Sequence, residues 1–80
     1  MLDAVVFVSI PDECDRVSEI AEQIGWRVTE SGIAAHVGGG EWVRVERIKG
    51  SIALSELANL VRAAGLRGRF AEASKFWSSN

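Results

Sequence analysis

The sequence has 80 residues, of which 48% are hydrophobic and 25% charged, and its formal net charge is −2. These values are typical of a small folded domain and exclude a polycationic, histone-like protein and a disordered acidic tail. No apolar run approaches the ~18 residues of a membrane-spanning helix, and the N-terminal residues include Asp3 but no basic stretch. We therefore expect a single domain over residues 1–80, with neither a membrane segment nor a signal peptide.

The single cysteine, Cys14, bears on compartment and stability. One thiol cannot form an intramolecular disulfide, and a chain without disulfides favours a cytoplasmic location. A domain of this size gains only ~3–5 kcal/mol from its core. Association with a second copy or with another protein would add to this small free energy of folding, and the sequence leaves both alternatives open.

Residues 4–10 form an apolar, β-branched run that predicts a central strand. Ser9 is followed three residues later by Asp12, which resembles a capping box, and Pro11 suits the first turn of a helix. Gly25 suits the position after the end of that helix. The apolar face of this predicted helix consists of Cys14, Val17, Ile20, Ala21 and Ile24.

From residue 26 onward the hydrophobic period changes to two, which is typical of strands. The pattern predicts three short strands over residues 26–29, 33–37 and 42–48. The turns between them are predicted at Glu30-Ser31-Gly32 and at the three glycines of residues 38–40. Together these segments predict an antiparallel meander.

A second helix is predicted to begin at Ser55, and Gly65 followed by Leu66 indicates its end. Residues 69–77 have the spacing of a third, short helix, although residues 66–70 could instead form an edge strand. The apolar stripe of the second helix consists of Leu54, Leu57, Ala58, Val61 and Ala64.

The predicted order of elements is β-α-β-β-β-α with a short C-terminal helix. Two amphipathic helices and a mostly antiparallel four-stranded sheet can bury their apolar faces only against each other. We therefore predict an α+β fold, a single two-layer sandwich with the helices on one face of the sheet.

A faint internal repeat suggests a more specific architecture. The segment Ser18-Glu19-Ile20-Ala21, followed by Ile24-Gly25, is similar to Ser55-Glu56-Leu57-Ala58, followed by Val61 and Gly65. Residues 5–28 also have the outline strand, helix, glycine, strand. Together with the repeat, this outline resembles the ferredoxin-like architecture and, among ferredoxin-like domains, the ACT-type regulatory domains. The resemblance implies a small-ligand regulatory domain. ACT domains bind effectors at an aspartate-then-glycine turn after the first strand, where this chain has Ser9-Ile10-Pro11-Asp12.

Residues that carry enzymatic or metal chemistry are sparse. His36 is the only histidine and Cys14 the only cysteine, so one chain cannot supply a structural zinc site from these residues. The glycines at 38–40 are flanked by predicted strands, whereas a phosphate-binding loop needs a helix N-terminus after it. We expect no catalytic, metal-binding or cofactor-binding residues, and we do not expect an enzyme.

Tryptophan and arginine, the residues most enriched in interface hot spots, occur together in the second half of the chain. Trp42 and Arg44 are predicted to share one face of a strand. Phe76 and Trp77, near the C-terminus, are a second candidate contact. We expect a non-enzymatic protein-interaction module: a small regulator, adaptor or inhibitor of a larger assembly, binding another protein or itself. The candidate partner-binding residues are Trp42, Arg44, Arg47, Arg67, Arg69, Phe76 and Trp77.

The charge distribution supports an alternative function. Residues 1–40 carry seven acidic and two basic side chains, whereas residues 41–80 carry seven basic and four acidic ones. A basic half can contact the phosphates of a nucleic acid, although the acidic net charge argues against such a partner. The basic residues that would make this contact are Arg44, Arg47, Lys49, Arg62, Arg67 and Arg69.

Overall fold

The computed structural model describes residues 3–35 and 40–72. Along the chain lie β1 (Ala4–Ser9), α1 (Pro11–Gln23), β2 (Trp26–Ala34), β3 (Gly40–Arg47), α2 (Leu54–Ala63) and β4 (Arg69–Glu72). The four strands form one sheet in the order β2-β3-β1-β4, and all neighbouring strands are antiparallel. This is the split β-α-β arrangement of ferredoxin-like folds.

The predicted fold class, an α+β sandwich with a four-stranded antiparallel sheet, is confirmed, but the order of its elements is β-α-β-β-α-β. The turn predicted at residues 30–32 is wrong, because β2 continues through it with a bulge between Val28 and Glu30. Gly32 allows the indole of Trp42 to lie against the strand, since a Cβ there would be 2.7 Å from the ring. Residues 69–72 form the fourth strand, at the edge of the sheet, so the helix predicted to begin at residue 69 is wrong there. The alternative, an edge strand, is correct in kind, although its predicted range is residues 66–70.

The start of α1 differs from the predicted capping box. Ile10 is the N-cap residue, and no side chain caps the helix. The hydroxyl of Ser9 instead donates to the Glu13 carboxylate 2.5 Å away, one turn into the helix rather than at Asp12. Pro11 occupies the first turn and Gly25 (φ +88°) follows the end of the helix, both as predicted.

The C-terminus of α2 has the geometry that its sequence predicts. Gly65 adopts φ +81°, a conformation that glycine tolerates without strain. Its N–H donates to the Arg62 carbonyl over 2.9 Å, and the N–H of Leu66 donates to the Val61 carbonyl over 3.3 Å. This bond pair is a Schellman motif, and it places Leu66 against the core.

Both helices pack on one face of the sheet, where the larger cluster of buried side chains includes Phe7, Trp26 and Leu57. Strand alternation directs Val6 and Val8 of the central strand β1 to the opposite face. Both of these valines are buried as well. No helix within the described ranges is long and apolar enough to cross a membrane.

Candidate interaction surface

Trp42 and Arg44 lie on the face of the sheet opposite to the helices. In the register of β1 and β3, Trp42 is paired with Val8 and Arg44 with Val6, so all four side chains point to the same face. Glu46 follows two residues later on the same face. The sequence correctly predicted this alternation along β3.

Trp42 is half-buried and packs against a small apolar cluster. Its neighbours are Val6, Val8 and Ala34, which are themselves buried. The ring also lies over Gly32 of β2, the strand paired with β3. Contacts from the two neighbouring strands, β1 and β2, therefore fix the orientation of the indole while leaving part of it exposed.

The charge of Arg44 is largely balanced within the sheet. Its Nη1 donates to Glu46 Oε2 over 2.7 Å and to Thr29 Oγ1 over 3.0 Å. On β2, the residue opposite Arg44 is Glu30, a second carboxylate on the same face. Two polar partners therefore hold the guanidinium of Arg44 in a fixed position, and Glu46 compensates its positive charge.

Arg69 extends the same face to the opposite edge of the sheet. Val8 is paired with Trp42 on one side and with Arg69 on the other, so the three residues form one row across β3, β1 and β4. Arg69 is exposed and forms no ion pair with another described residue. We refer to Trp42, Arg44 and Arg69 as the Trp42 surface.

Arg47 does not belong to the Trp42 surface. It is paired with Trp26 and points to the face that carries the helices. Its Nη2 lies 2.5 Å from Asp3 Oδ1, and its backbone N–H donates to the Asp3 carbonyl over 2.8 Å. The structure thus places this candidate partner-binding residue in an internal ion pair.

Two further candidates, Phe76 and Trp77, lie outside the described residues, as does His36. Arg67 is exposed in the loop between α2 and β4, two residues from Arg69. Arg67 and Arg69 both line a shallow depression of about 240 Å³ beside Ile10. The structure therefore brings Arg67 to the border of the Trp42 surface.

Sequence reasoning missed the role of Glu13. Its carboxylate accepts hydrogen bonds from the N–H groups of Arg67 (2.9 and 3.0 Å) and Gly68 (2.9 Å), as well as from the Ser9 hydroxyl. The Ser9 hydroxyl and the Arg67 N–H hold the pKa of Glu13 below its ordinary value. These bonds fix the loop before β4 against the first turn of α1. No local pattern signals a contact between residues more than 50 positions apart.

Cys14 has the properties of a core residue. Its Sγ lies 3.6 Å from the Glu41 carbonyl and 3.9 Å from the Ser9 carbonyl. Burial, together with the Glu41 carboxylate, raises the pKa of the thiol to about 12, so it stays protonated at neutral pH. In the part of the chain that the structure describes, no three His, Cys, Asp or Glu residues are grouped to hold a metal ion.

Comparison with known proteins adds no assignment: no family model, no curated protein and no solved structure matches this chain.

Proposed function

We propose that this chain is a non-enzymatic protein-interaction module, a small regulator, adaptor or inhibitor that binds its partner through the Trp42 surface. The observation that carries the proposal is the row of Trp42, Val8 and Arg69 on the face of the sheet opposite to α1 and α2. Tryptophan and arginine are among the residue types most enriched in the hot spots at the centres of protein interfaces.

The surface is organised before a partner arrives. Contacts with Val8 and Gly32 hold the indole of Trp42, and Glu46 and Thr29 hold Arg44. Side chains that are already ordered lose little conformational entropy on binding, which favours affinity. The fixed positions of these side chains before binding therefore support recognition by a preformed surface.

The chemistry of the surface indicates the chemistry of the partner. Trp42 requires an apolar pocket, and Arg69, which has no ion pair within the described ranges, favours a carboxylate at the pocket's rim. Because Arg44 is already paired with Glu46, it would contribute mainly hydrogen bonds and packing. The partner that fits is an acidic protein surface with an apolar depression.

Site-specific photo-crosslinking tests the proposal. A photo-reactive residue replaces Glu30, which is exposed opposite Arg44, and in a control it replaces Asn59, which is exposed on α2. In extract of the source cells we expect a discrete adduct only from position 30. Excess wild-type chain should compete the adduct away, whereas excess Arg69→Glu or Trp42→Ala chain should compete poorly.

The mass of the adduct identifies the kind of partner, since an adduct of twice the chain mass would mean that the chain binds itself. The absence of an adduct from position 30 would contradict the proposal. Equal adducts from positions 30 and 59 would contradict it too. Because Trp42→Ala removes packing, Arg69→Glu provides the variant whose folding is least in doubt.

Nucleic-acid binding is the second candidate, and one observation favours it. Arg62, Arg67 and Arg69 are exposed, surround the connection between α2 and β4, and form no ion pair with described residues. Arg44 and Arg47, by contrast, are paired with carboxylates. Binding through the first three arginines would weaken steeply as salt increases, because phosphate contacts release counterions. Absence of any shift of single- or double-stranded probes at low salt would exclude this function.

A further inference from the structure

A groove of about 320 Å³ lies between α2 and β4 on the helix-bearing side of the sheet, and Arg69 is the one residue of the Trp42 surface that borders it. Leu54, Ala58 and Arg62 line one wall, and their spacing of four places them on one face of the helix. Leu66 and Phe70 belong to the facing wall. We refer to this feature as the α2–β4 groove.

The apolar wall of the α2–β4 groove is continuous with the core. Leu54, Leu66 and Phe70 pack against the buried cluster, yet each remains partly exposed. The ring of Phe70 lies 5.1 Å from that of Phe7, which holds it in place. The groove is therefore formed without a ligand, as small-molecule sites usually are.

The charged side chain on the helix wall of the α2–β4 groove is Arg62. Arg69 borders the groove as well, although alternation along β4 directs its side chain to the opposite face of the sheet, and none of the described lining residues is acidic. Neither arginine forms an ion pair within the described ranges. An unpaired guanidinium next to an apolar wall matches a ligand that carries a carboxylate beside a hydrocarbon group.

We propose that the α2–β4 groove binds a small amphipathic carboxylate. The hydrocarbon part packs on Leu54, Ala58, Leu66 and Phe70, and the carboxylate pairs with Arg62. The volume of about 320 Å³ is at the lower end of the range for ligand pockets, roughly 300–1,000 Å³, which fits a short aliphatic acid. The site does not depend on the interaction proposed for the Trp42 surface.

Titration of octanoate into the ¹⁵N-labelled full chain tests the proposal. We expect saturable shifts of the amides of Ala58, Leu66 and Phe70. Octanol lacks the carboxylate and octylammonium reverses the charge, so both should bind more weakly. Arg62→Gln should raise the Kd for octanoate roughly two- to fivefold, the range for a solvent-exposed ion pair. Arg16→Gln, an exposed arginine on α1, should leave the Kd unchanged.

Ala58→Trp fills the groove and should abolish the octanoate shifts while the circular dichroism spectrum stays unchanged. Ala58→Leu, a smaller change at this half-buried position, serves if the tryptophan variant does not fold. The proposal is overturned by shifts that do not saturate, or by octanol binding as tightly as octanoate. It is equally overturned if Arg62→Gln behaves like Arg16→Gln, or if a folded Ala58 variant binds with unchanged affinity.

Discussion

The carboxylate of Glu13 accepts a hydrogen bond from the backbone N–H of Gly68, 2.9 Å away and 55 positions along the chain. With the bonds from Arg67 and Ser9, it joins the start of α1 to the loop before β4. That loop carries Arg67 and leads into Arg69, so the position of the exposed arginines depends on an acid in another element.

Replacing Glu13 with glutamine should lower the urea midpoint of unfolding at pH 7, because a neutral amide accepts the two backbone N–H bonds less well. The pKa of Glu13 is lowered in the folded chain, so its contribution is complete above its ordinary value of 4.5. The contribution is lost as the pH falls below that value. The difference between wild type and Glu13→Gln should therefore be largest near neutrality and shrink in acid.

Glu22→Gln provides the matched control, since Glu22 is an exposed acid on the same helix. It should unfold at the wild-type midpoint at every pH. A Glu13→Gln midpoint that tracks Glu22→Gln from pH 7 to pH 3 would show that the hydrogen bonds of Glu13 do not stabilise the fold.

The parts of the fold that the sequence predicts are those encoded by neighbouring residues. Gly25 and Gly65 end the two helices because a left-handed residue is needed at those positions. The alternation along β3 places Trp42 and Arg44 on one face for an equally local reason. The shared face of two of the three residues of the Trp42 surface could therefore be found without a structure.

The parts that the sequence did not predict depend on distant partners. Glu30-Ser31-Gly32 has the composition of a turn, yet pairing with β3 and the indole of Trp42 keep it in a strand. The segment from Arg69 has helical spacing, but its pairing with the exposed edge of β1 makes it a strand. In both cases tertiary contacts override local preference.

Gly68→Ala should destabilise the fold by about 1–3 kcal/mol, the range for overpacking. A Cβ at Gly68 would collide with the ring of Phe7 and lie 2.7 Å from the Val8 carbonyl oxygen. Ser51→Ala is the control, because Ser51 is exposed in the loop before α2. Urea unfolding should therefore show a loss of stability for Gly68→Ala and none for Ser51→Ala, and equal midpoints for the two variants would contradict the close packing at Gly68.

Cys14 should be unreactive toward a thiol reagent at neutral pH while the chain is folded. Burial raises the pKa of its thiol to about 12, so almost no thiolate is present. Addition of denaturant should release one reactive thiol per chain. Rapid modification under native conditions, with circular dichroism showing a folded protein, would contradict the buried position of the side chain.

Gly32→Ala tests whether the indole of Trp42 depends on the close approach of β2. A new Cβ would lie 2.7 Å from the indole, so the ring must move while the strands remain paired. We expect a shift of the Trp42 indole N–H resonance, whereas that of Trp26, bonded over 2.9 Å to the Ile52 carbonyl, should not change. If the Trp42 surface binds the partner, crosslinking from position 30 should weaken as well. Ser31→Ala, whose side chain lies on the other face of β2, should leave both readouts unchanged, and a similar response from the two variants would contradict the argument.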